Sequence, residues 1–183
     1  HATAAVRSNG STMKPLLVYA PAIEYGVSFP AKTLINAPIS INGYSPGNYA
    51  GGGITGLTTA REALKKSYNI PAVLQYKEIV NRRPAEYLKK MGFSSLHEAD
   101  YTNLSTSLGA LERGVTVEEN TNAFATFANG GEFVDAYMIE KIEDNDGNII
   151  FEHKSKATKV FSPQTAYLTL DMMRDVLTSG TAA

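Results

Sequence analysis

The sequence predicts an α+β fold that is mainly helical and contains one β-hairpin. Capped segments with helical periodicity recur along the 183 residues, whereas only one pair of strand-like segments flanks a clear hairpin turn. The apolar fraction of 43% is high enough to bury a core, and the length is that of one domain. We therefore expect residues 1–183 to form one globular unit.

Start and stop signals place the helices. The first is expected over residues 11–25, with Pro15 tolerated in its first turn, a kink at Pro21 and a stop at Gly26. The same reasoning predicts five further helices. Three of them cover residues 58–66, 83–91 and 162–180. Another begins after Asn69 with Pro71 in its first turn, and the remaining one covers residues 116–130 and begins with a capping box.

Strand signals are confined to one region. Residues 133–143 and 148–154 are strand-like, and the Asp-Asn-Asp-Gly segment at 144–147 tolerates the positive φ of a hairpin turn. Residues 35–56, which include three consecutive glycines at 51–53, show no sustained period and predict a long irregular loop. Residues 67–69 then lie at a junction between two helices.

Composition excludes several classes of partner. Lys and Arg number 17 against 18 Asp and Glu, so no positive field favours nucleic acid. The chain lacks cysteine and its three histidines are widely separated, so we expect neither a metal nor a cofactor. The longest apolar stretch, residues 15–23, is interrupted by proline and is too short for a membrane span.

A Ser-x-x-Lys pattern is the first candidate for chemistry. Ser11 and Lys14 lie one turn apart if a helix begins at Ser11, so the amine can reach the hydroxyl. A lysine removes the proton of a serine only if its pKa falls from about 10.4 toward neutrality, which burial and the helix N-terminus both favour. The backbone N–H of Ser11 is also a candidate donor to an oxyanion.

A Ser-x-Asn pattern is the second candidate. It occurs at residues 40–42, inside the predicted loop, and at residues 67–69. We favour Ser67 and Asn69, because a helix junction holds two polar side chains rigidly toward a cleft. By themselves both patterns are weak, since Ser-x-x-Lys is expected about once by chance in a chain of this length.

Longer strings around these residues carry a family resemblance. They are His-Ala-Thr at 1–3, Gly-Ser-Thr-Met-Lys-Pro-Leu at 10–16, Tyr-Ser-Pro-Gly-Asn-Tyr at 44–49, Ala-Leu-Lys-Lys-Ser-Tyr-Asn-Ile-Pro-Ala-Val at 63–73, Phe-Ala-Thr-Phe-Ala-Asn-Gly-Gly at 124–131, and Met-Met-Arg-Asp-Val at 172–176. In order and over the whole chain, they resemble the transpeptidase domain of class A (bifunctional) penicillin-binding proteins, a family to which Ser-x-x-Lys and a Ser-x-Asn-type motif belong.

The resemblance implies a serine D,D-transpeptidase that cross-links peptidoglycan stem peptides ending in D-Ala-D-Ala. It implies that Ser11 forms the acyl-enzyme and is acylated by β-lactams, that Lys14 is its general base, that Ser67 relays a proton, and that Asn69 holds the donor amide. It also implies a membrane-anchored parent, with an upstream glycosyltransferase domain, that acts on the extracytoplasmic face of the bacterial cell membrane.

The sequence departs from the family pattern in one motif. The third family motif, Lys-Thr-Gly, occurs nowhere in the 183 residues. We therefore expect a partial domain, incomplete at both ends, that forms the helical lobe of the serine transpeptidase and β-lactamase-like fold with most of the central sheet missing. Such a lobe is expected to be inactive alone.

Three alternatives stay open at this stage. A β-lactamase or a β-lactam sensor shares Ser-x-x-Lys and differs in how fast it releases the drug or in having signalling partners. A non-catalytic binding or scaffold lobe would fold without ever being acylated. A partial lobe is also expected to complete its sheet by association with a second copy of itself.

Overall fold

The computed structural model describes residues 1–49 and 53–183, so part of the predicted loop at 35–56, with two of its three glycines, lies outside the described residues. In chain order, the helices are α1 (Ala20–Glu24), α2 (Ala60–Lys65), α3 (Asn69–Ile79), α4 (Ala85–Lys90), α5 (Val117–Ala128) and α6 (Pro163–Ser179). Within the described ranges, no helix combines the length and the hydropathy needed to cross a bilayer.

The first predicted helix changes its winding along its length. It begins as a 3-10 turn at Gly10–Thr12, continues as a π-helix over Lys14–Tyr19 and becomes α-helical only in α1. At the end of the π-helix the N–H of Ala20 donates to the carbonyl of Pro15, five residues earlier. We attribute the wider turns to Pro21, whose ring would clash with a carbonyl four residues back in a regular α-helix.

Helices α2, α5 and α6 begin near the predicted positions because their N-caps form. Thr59 caps α2 by accepting from the N–H of Glu62, and Ser162 caps α6 by accepting from the N–H of Thr165. The predicted capping box opens α5, with Thr116 and Glu119 satisfying each other's backbone N–H groups.

The strands extend beyond the single predicted hairpin. That hairpin is present as β4 (Lys141–Glu143) and β5 (Ile149–Glu152), and residues 144–147 make its turn. The prediction of one strand over 133–143 was wrong, because Phe133 belongs to β3 (Glu132–Val134), which pairs with β6 (Ala157–Lys159).

A third antiparallel pair closes the long loop at its base. It joins β1 (Thr33–Asn36) to β2 (Gly56–Thr59), with Asn36 opposite Gly56. The sequence predicted neither strand: β1 overlaps the start of the predicted loop, and β2 runs from its end into the predicted second helix. Each strand is only four residues long, and β2 has no buried residue. The pair brings the two ends of the loop together beside α2 and α3.

The π-helix forms the centre of the core. All of its residues from Leu16 to Tyr19 are fully buried, and it packs against α3 and α4. Tyr76 and Ile79 of α3 and Leu88 of α4 are fully buried in the same cluster. The segment that carries Lys14 is therefore fixed on several sides by packed apolar side chains.

Candidate active site

Ser11 lies on an exposed turn at the start of the central helical run. Gly10 has a left-handed φ of +53°, and the Thr12 hydroxyl donates to the Asn9 carbonyl at 2.6 Å. Gly109 approaches Gly10 so closely that a Cβ atom at position 109 would overlap the Gly10 backbone. The turn is thus held firmly while Ser11 stays exposed. It is a 3-10 turn and not the α-helical start that the sequence predicted.

Asn120 of α5 supports the same turn. Its Oδ1 accepts from the side-chain amide of Asn9 at 2.8 Å and lies 3.4 Å from the Thr12 hydroxyl oxygen. No sequence motif pointed to Asn120. The one sequence signal at this position is an asparagine inside a predicted helix, where the helix propensity of asparagine is poor.

Lys14 is the only lysine of the described residues with no exposed surface, and its amine makes hydrogen bonds but no ion pair there. Its Nζ donates to the carbonyl of Ser67 at 2.7 Å, to the Ser67 hydroxyl at 3.0 Å and to Oδ1 of Asn69 at 2.8 Å. The structure therefore brings Lys14, Ser67 and Asn69 into direct contact.

Burial lowers the pKa of Lys14 to about 8. The cause is the loss of hydration, which disfavours the ammonium, and no carboxylate forms an ion pair with Lys14 in the part of the chain described. At neutral pH a measurable fraction of the amine is consequently uncharged and able to accept a proton.

Ser67 occupies a strained position at the end of α2. It has a left-handed φ of +54°, which is uncommon for any residue other than glycine, and its N–H donates to the carbonyl of Leu64 at 2.9 Å. This conformation ends α2 and leaves both oxygens of Ser67 within reach of Lys14. Strain of this kind is concentrated at functional sites.

Asn69 is the first residue of α3, as the helix junction predicted. While its Oδ1 accepts from Lys14, its Nδ2 donates to the carbonyl of Gly47 at 2.8 Å. Its backbone N–H donates to Oδ1 of Asn48 at 2.8 Å. Gly47 and Asn48 belong to the family-like string at 44–49, which predicted no role for either residue.

The other Ser-x-Asn triplet lies in a different environment. Ile41 at its centre pairs with Tyr44 in a small turn closed by two hydrogen bonds of 2.9 Å. The hydrogen bonds of Lys14 go to the 67–69 triplet and not to residues 40–42.

A groove of about 470 Å³ runs past Ser11 and Ser67. Its remaining walls are mainly apolar side chains from α2, α5 and α6, namely Leu64, Phe124, Leu170, Met173, Val176 and Leu177. Residues 166, 170, 173 and 177 lie along one face of α6, where Ala166 is in the core and the other three line the groove. Among the residues described, no group of three His, Cys, Asp or Glu side chains is placed to hold a metal ion.

Comparison with known proteins identifies the family. A family model described as "Penicillin binding protein transpeptidase domain" matches residues 1–183. The chain is 37% identical over 178 residues to penicillin-binding protein 1F of Bacillus subtilis, an alignment that covers 97% of this chain and 24% of the relative. It is 34% identical to penicillin-binding protein 1A of Streptococcus pneumoniae, covering 96% of this chain and 25% of the relative.

Solved structures agree with the sequence relatives. Penicillin-binding protein 1A from Haemophilus influenzae superposes with a TM-score of 0.84 at 25% identity, covering 99% of this chain and 32% of that one. Penicillin-binding protein A from M. tuberculosis, solved as an imipenem acyl-enzyme complex, gives a TM-score of 0.85 at 22% identity, covering 97% and 45% of the two chains.

The chain spans about a quarter of the length of these curated relatives, and the relatives include the class A type that the sequence strings had indicated. The mainly helical architecture with few strands fits the helical lobe of the neighbours' fold. A match over all 183 residues shows that the chain belongs to the transpeptidase domain family of penicillin-binding proteins.

Proposed function

We propose that this chain carries the acylated serine of a D,D-transpeptidase that cross-links peptidoglycan stem peptides. The observation that supports it most directly is the buried Lys14 amine, which contacts Ser67 and Asn69 beside a groove that exposes Ser11. Membership of a transpeptidase family supplies the reaction class.

The proposed reaction proceeds by acyl transfer. The Ser11 hydroxyl oxygen attacks the carbonyl of the penultimate D-alanine, the bond from that carbonyl to the leaving nitrogen breaks, and Ser11 becomes an ester. Lys14 takes the hydroxyl proton, and Ser67 passes a proton to the leaving D-alanine. The amine of a neighbouring strand then attacks the ester and restores Ser11.

Asn69 is proposed to hold the donor amide, and the N–H of Ser11 is proposed to donate to the oxyanion. Residues outside this chain would complete the site, because the family's Lys-Thr-Gly motif does not occur in its sequence. We therefore propose that the 183 residues are a partial domain that is inactive alone and acts within a longer protein on the extracytoplasmic face of the membrane.

β-Lactams are the second proposed class of ligand. The M. tuberculosis neighbour was solved with imipenem as an acyl-enzyme, which supports the same chemistry at Ser11. A β-lactam presents a strained amide to the nucleophile and forms the same serine ester, so a reporter penicillin is a direct probe of the site.

The test is intact-mass spectrometry after incubation with a reporter penicillin. It uses the 183-residue chain beside a longer chain of the same protein that reaches a Lys-Thr-Gly motif. We expect one slowly released adduct on the Ser11 peptide of the longer chain and none on the shorter one. Ser11→Ala is expected to abolish labelling, whereas Ser40→Ala, in the other Ser-x-Asn triplet, is expected to retain it.

Each contrary result has a defined meaning. Labelling that survives Ser11→Ala would reject the site. A folded longer chain that gains no mass would favour a non-catalytic binding lobe, and an adduct that hydrolyses within seconds would favour a β-lactamase.

A further inference from the structure

The N-terminus of α3 is capped by a residue from a distant loop. Tyr68, at the N-cap position, makes no capping hydrogen bond with its own side chain. Instead, Oδ1 of Asn48 accepts from the backbone N–H groups of Asn69 and Ile70 at 2.8 and 3.2 Å. Because the first N–H groups of a helix lack partners within it, Asn48 satisfies two donors that the local sequence leaves free.

The same loop fixes the orientation of the Asn69 side chain. Nδ2 of Asn69 donates to the carbonyl of Gly47 at 2.8 Å, so the other end of the amide must present oxygen to Lys14. A reversed amide would place N–H groups against the Lys14 amine, which itself only donates when charged. Gly47 and Asn48 thus hold both the backbone and the side chain of Asn69.

Asn48 is in turn supported by a buried asparagine at the base of the loop. Its Nδ2 donates to Oδ1 of Asn36 at 2.8 Å. Asn36 is fully buried at the end of β1, and its own Nδ2 donates to the Gly53 carbonyl and the Thr55 hydroxyl at 3.0 Å each. A chain of hydrogen bonds therefore runs from the β1–β2 pair through Asn48 and Asn69 to Lys14.

We infer that Asn48 is a positioning residue that sets the protonation and orientation of Lys14 through Asn69. The inference rests on the proposed function of Lys14 as the base for Ser11 and adds a residue that touches neither. Its action is indirect, since Asn48 contacts the N-terminus of α3 while Asn69 contacts the lysine.

Removal of the Asn48 side chain has a definite physical consequence. Gly47 is exposed and Asn48 is half-buried, so water would replace the lost amide and reach the Asn69 side chain. The groups that face the Lys14 amine are the neutral oxygens of Ser67 and Asn69, and burial is what disfavours its charge. Hydration would therefore favour the ammonium and raise the pKa of Lys14.

The test is an NMR titration of the Lys14 side chain in the 183-residue chain. The Lys14 Cε resonance is assigned from Lys14→Arg and followed in Asn48→Ala and Asn48→Ser. We expect Asn48→Ala to raise the midpoint by about one pH unit, which lowers the uncharged fraction at pH 7 about tenfold. Asn48→Ser keeps an acceptor oxygen and is expected to give a smaller rise. Ser45→Ala, at an exposed position of the same loop, is the matched control and should leave the midpoint unchanged.

Thermal unfolding of each variant separates positioning from stability. An unchanged midpoint in both Asn48 variants, with only a lower melting temperature, would overturn the inference. If Asn48→Ala fails to fold, the Asn48→Ser titration decides it alone. In the longer chain, penicillin acylation at pH 7 should fall about tenfold with Asn48→Ala, in line with the titration. Absence of acylation in the unaltered longer chain would reject the proposed function, while the titration would still decide the role of Asn48.

Discussion

Lys14 is a basic group buried among neutral partners, and this makes the stability of the protein depend on pH. The pKa of Lys14 is about 8 in the folded chain and near its ordinary value of 10.5 in the unfolded one. Between these values the unfolded state binds more protons than the folded state, so stability rises with pH. Below about pH 8 the Lys14 amine is protonated in both the folded and the unfolded state. The free energy that its burial costs the folded state therefore no longer changes with pH.

We predict that the free energy of unfolding rises with pH between pH 8 and 10, and that Lys14 causes this positive slope. One proton contributes at most about 1.4 kcal/mol per pH unit. Lys14→Met should remove this slope, whatever its effect on stability at pH 7. Urea unfolding at pH 7, 8, 9 and 10 measures it.

The pH range over which stability rises ends near pH 10, because buried tyrosines lower stability above it. Burial raises the pKa of Tyr19 and of Tyr76 in the folded state, so these tyrosines ionise at lower pH in the unfolded state, and stability falls above pH 10. Equal slopes in the unaltered chain and in Lys14→Met would contradict a lowered pKa of Lys14.

Among individual residues, the sequence predicted those that belong to short motifs. It did not predict those that reach the site through tertiary contacts. Ser-x-x-Lys and Ser-x-Asn pointed to Lys14, Ser67 and Asn69, which contact one another, and to Ser11, which lines the groove with Ser67. In the part of the chain that the structure describes, no hydrogen bond joins Ser11 to Lys14, and the catalytic roles are proposals. Asn48 and Asn120 were missed because their partners lie 21 and 111 positions away. Short sequence motifs carry no information about hydrogen bonds between residues so far apart in the chain.

The secondary-structure elements differ in how much of their stability is local. Helix α5 illustrates the local kind, because Thr116 and Glu119 cap it within one turn of chain. Glu119 also accepts from the N–H and the hydroxyl of Ser94 at 3.0 and 2.6 Å, which ties the helix start to the segment after α4.

We predict that Thr116→Ala lowers the free energy of unfolding by about 1 kcal/mol, the usual cost of losing an N-cap side chain. Thr116→Ser retains the hydroxyl and should cost only a few tenths of that amount. Urea unfolding at pH 7 compares the two. Equal losses in both variants would show that the methyl group of Thr116, and not its hydroxyl, stabilises the helix start.

The β1–β2 pair illustrates the opposite case. Each strand has four residues, and exposed Ile35 and Leu57 give no clear alternation of apolar and polar positions. These strands are stabilised by tertiary contacts, because β1 packs against α3 and β2 against α2. Hydrophobic periodicity within the strands does not reveal such contacts. Helices with caps were predictable from the sequence, whereas short strands stabilised by distant neighbours were not.

At the scale of the whole molecule, α6 is joined to the central helical run at one end and borders the groove along its length. The carboxylate of Glu24 accepts from the hydroxyl of Ser162 at 2.8 Å and from its N–H at 3.1 Å, which anchors the start of α6. Towards its other end, α6 exposes Leu177, whose side chain is 67% accessible, on the groove that also contains Ser11.

We predict that the 183-residue chain self-associates through this apolar groove, because the contact would remove the exposed side chains of Leu170 and Leu177 from water. Sedimentation velocity across a concentration series should show a reversible dimer. Leu177→Lys should weaken it, since a charge would have to be buried in the contact. Tyr167→Lys is the matched control on the same helix, because Tyr167 is 68% accessible but does not line the groove. A monomer at all concentrations, or equal weakening by both variants, would contradict the prediction.

The π-helix over Lys14–Tyr19 determines how the chain can vary in length. Its hydrogen bonds span five residues instead of four, so each of its turns holds about one residue more than an α-helical turn. Deletion of one residue from this segment would therefore be absorbed by a return to α-helical winding, which leaves the side chains before and after it on nearly the same faces. A deletion in α1, where the winding is already regular, would instead rotate every side chain before it by about 100° around the helix axis relative to those that follow. Lys14 would then leave its contacts with Ser67, and Ser11 would leave the groove. The wide turns thus let the central helical run lose a residue and still keep the serine beside its lysine environment.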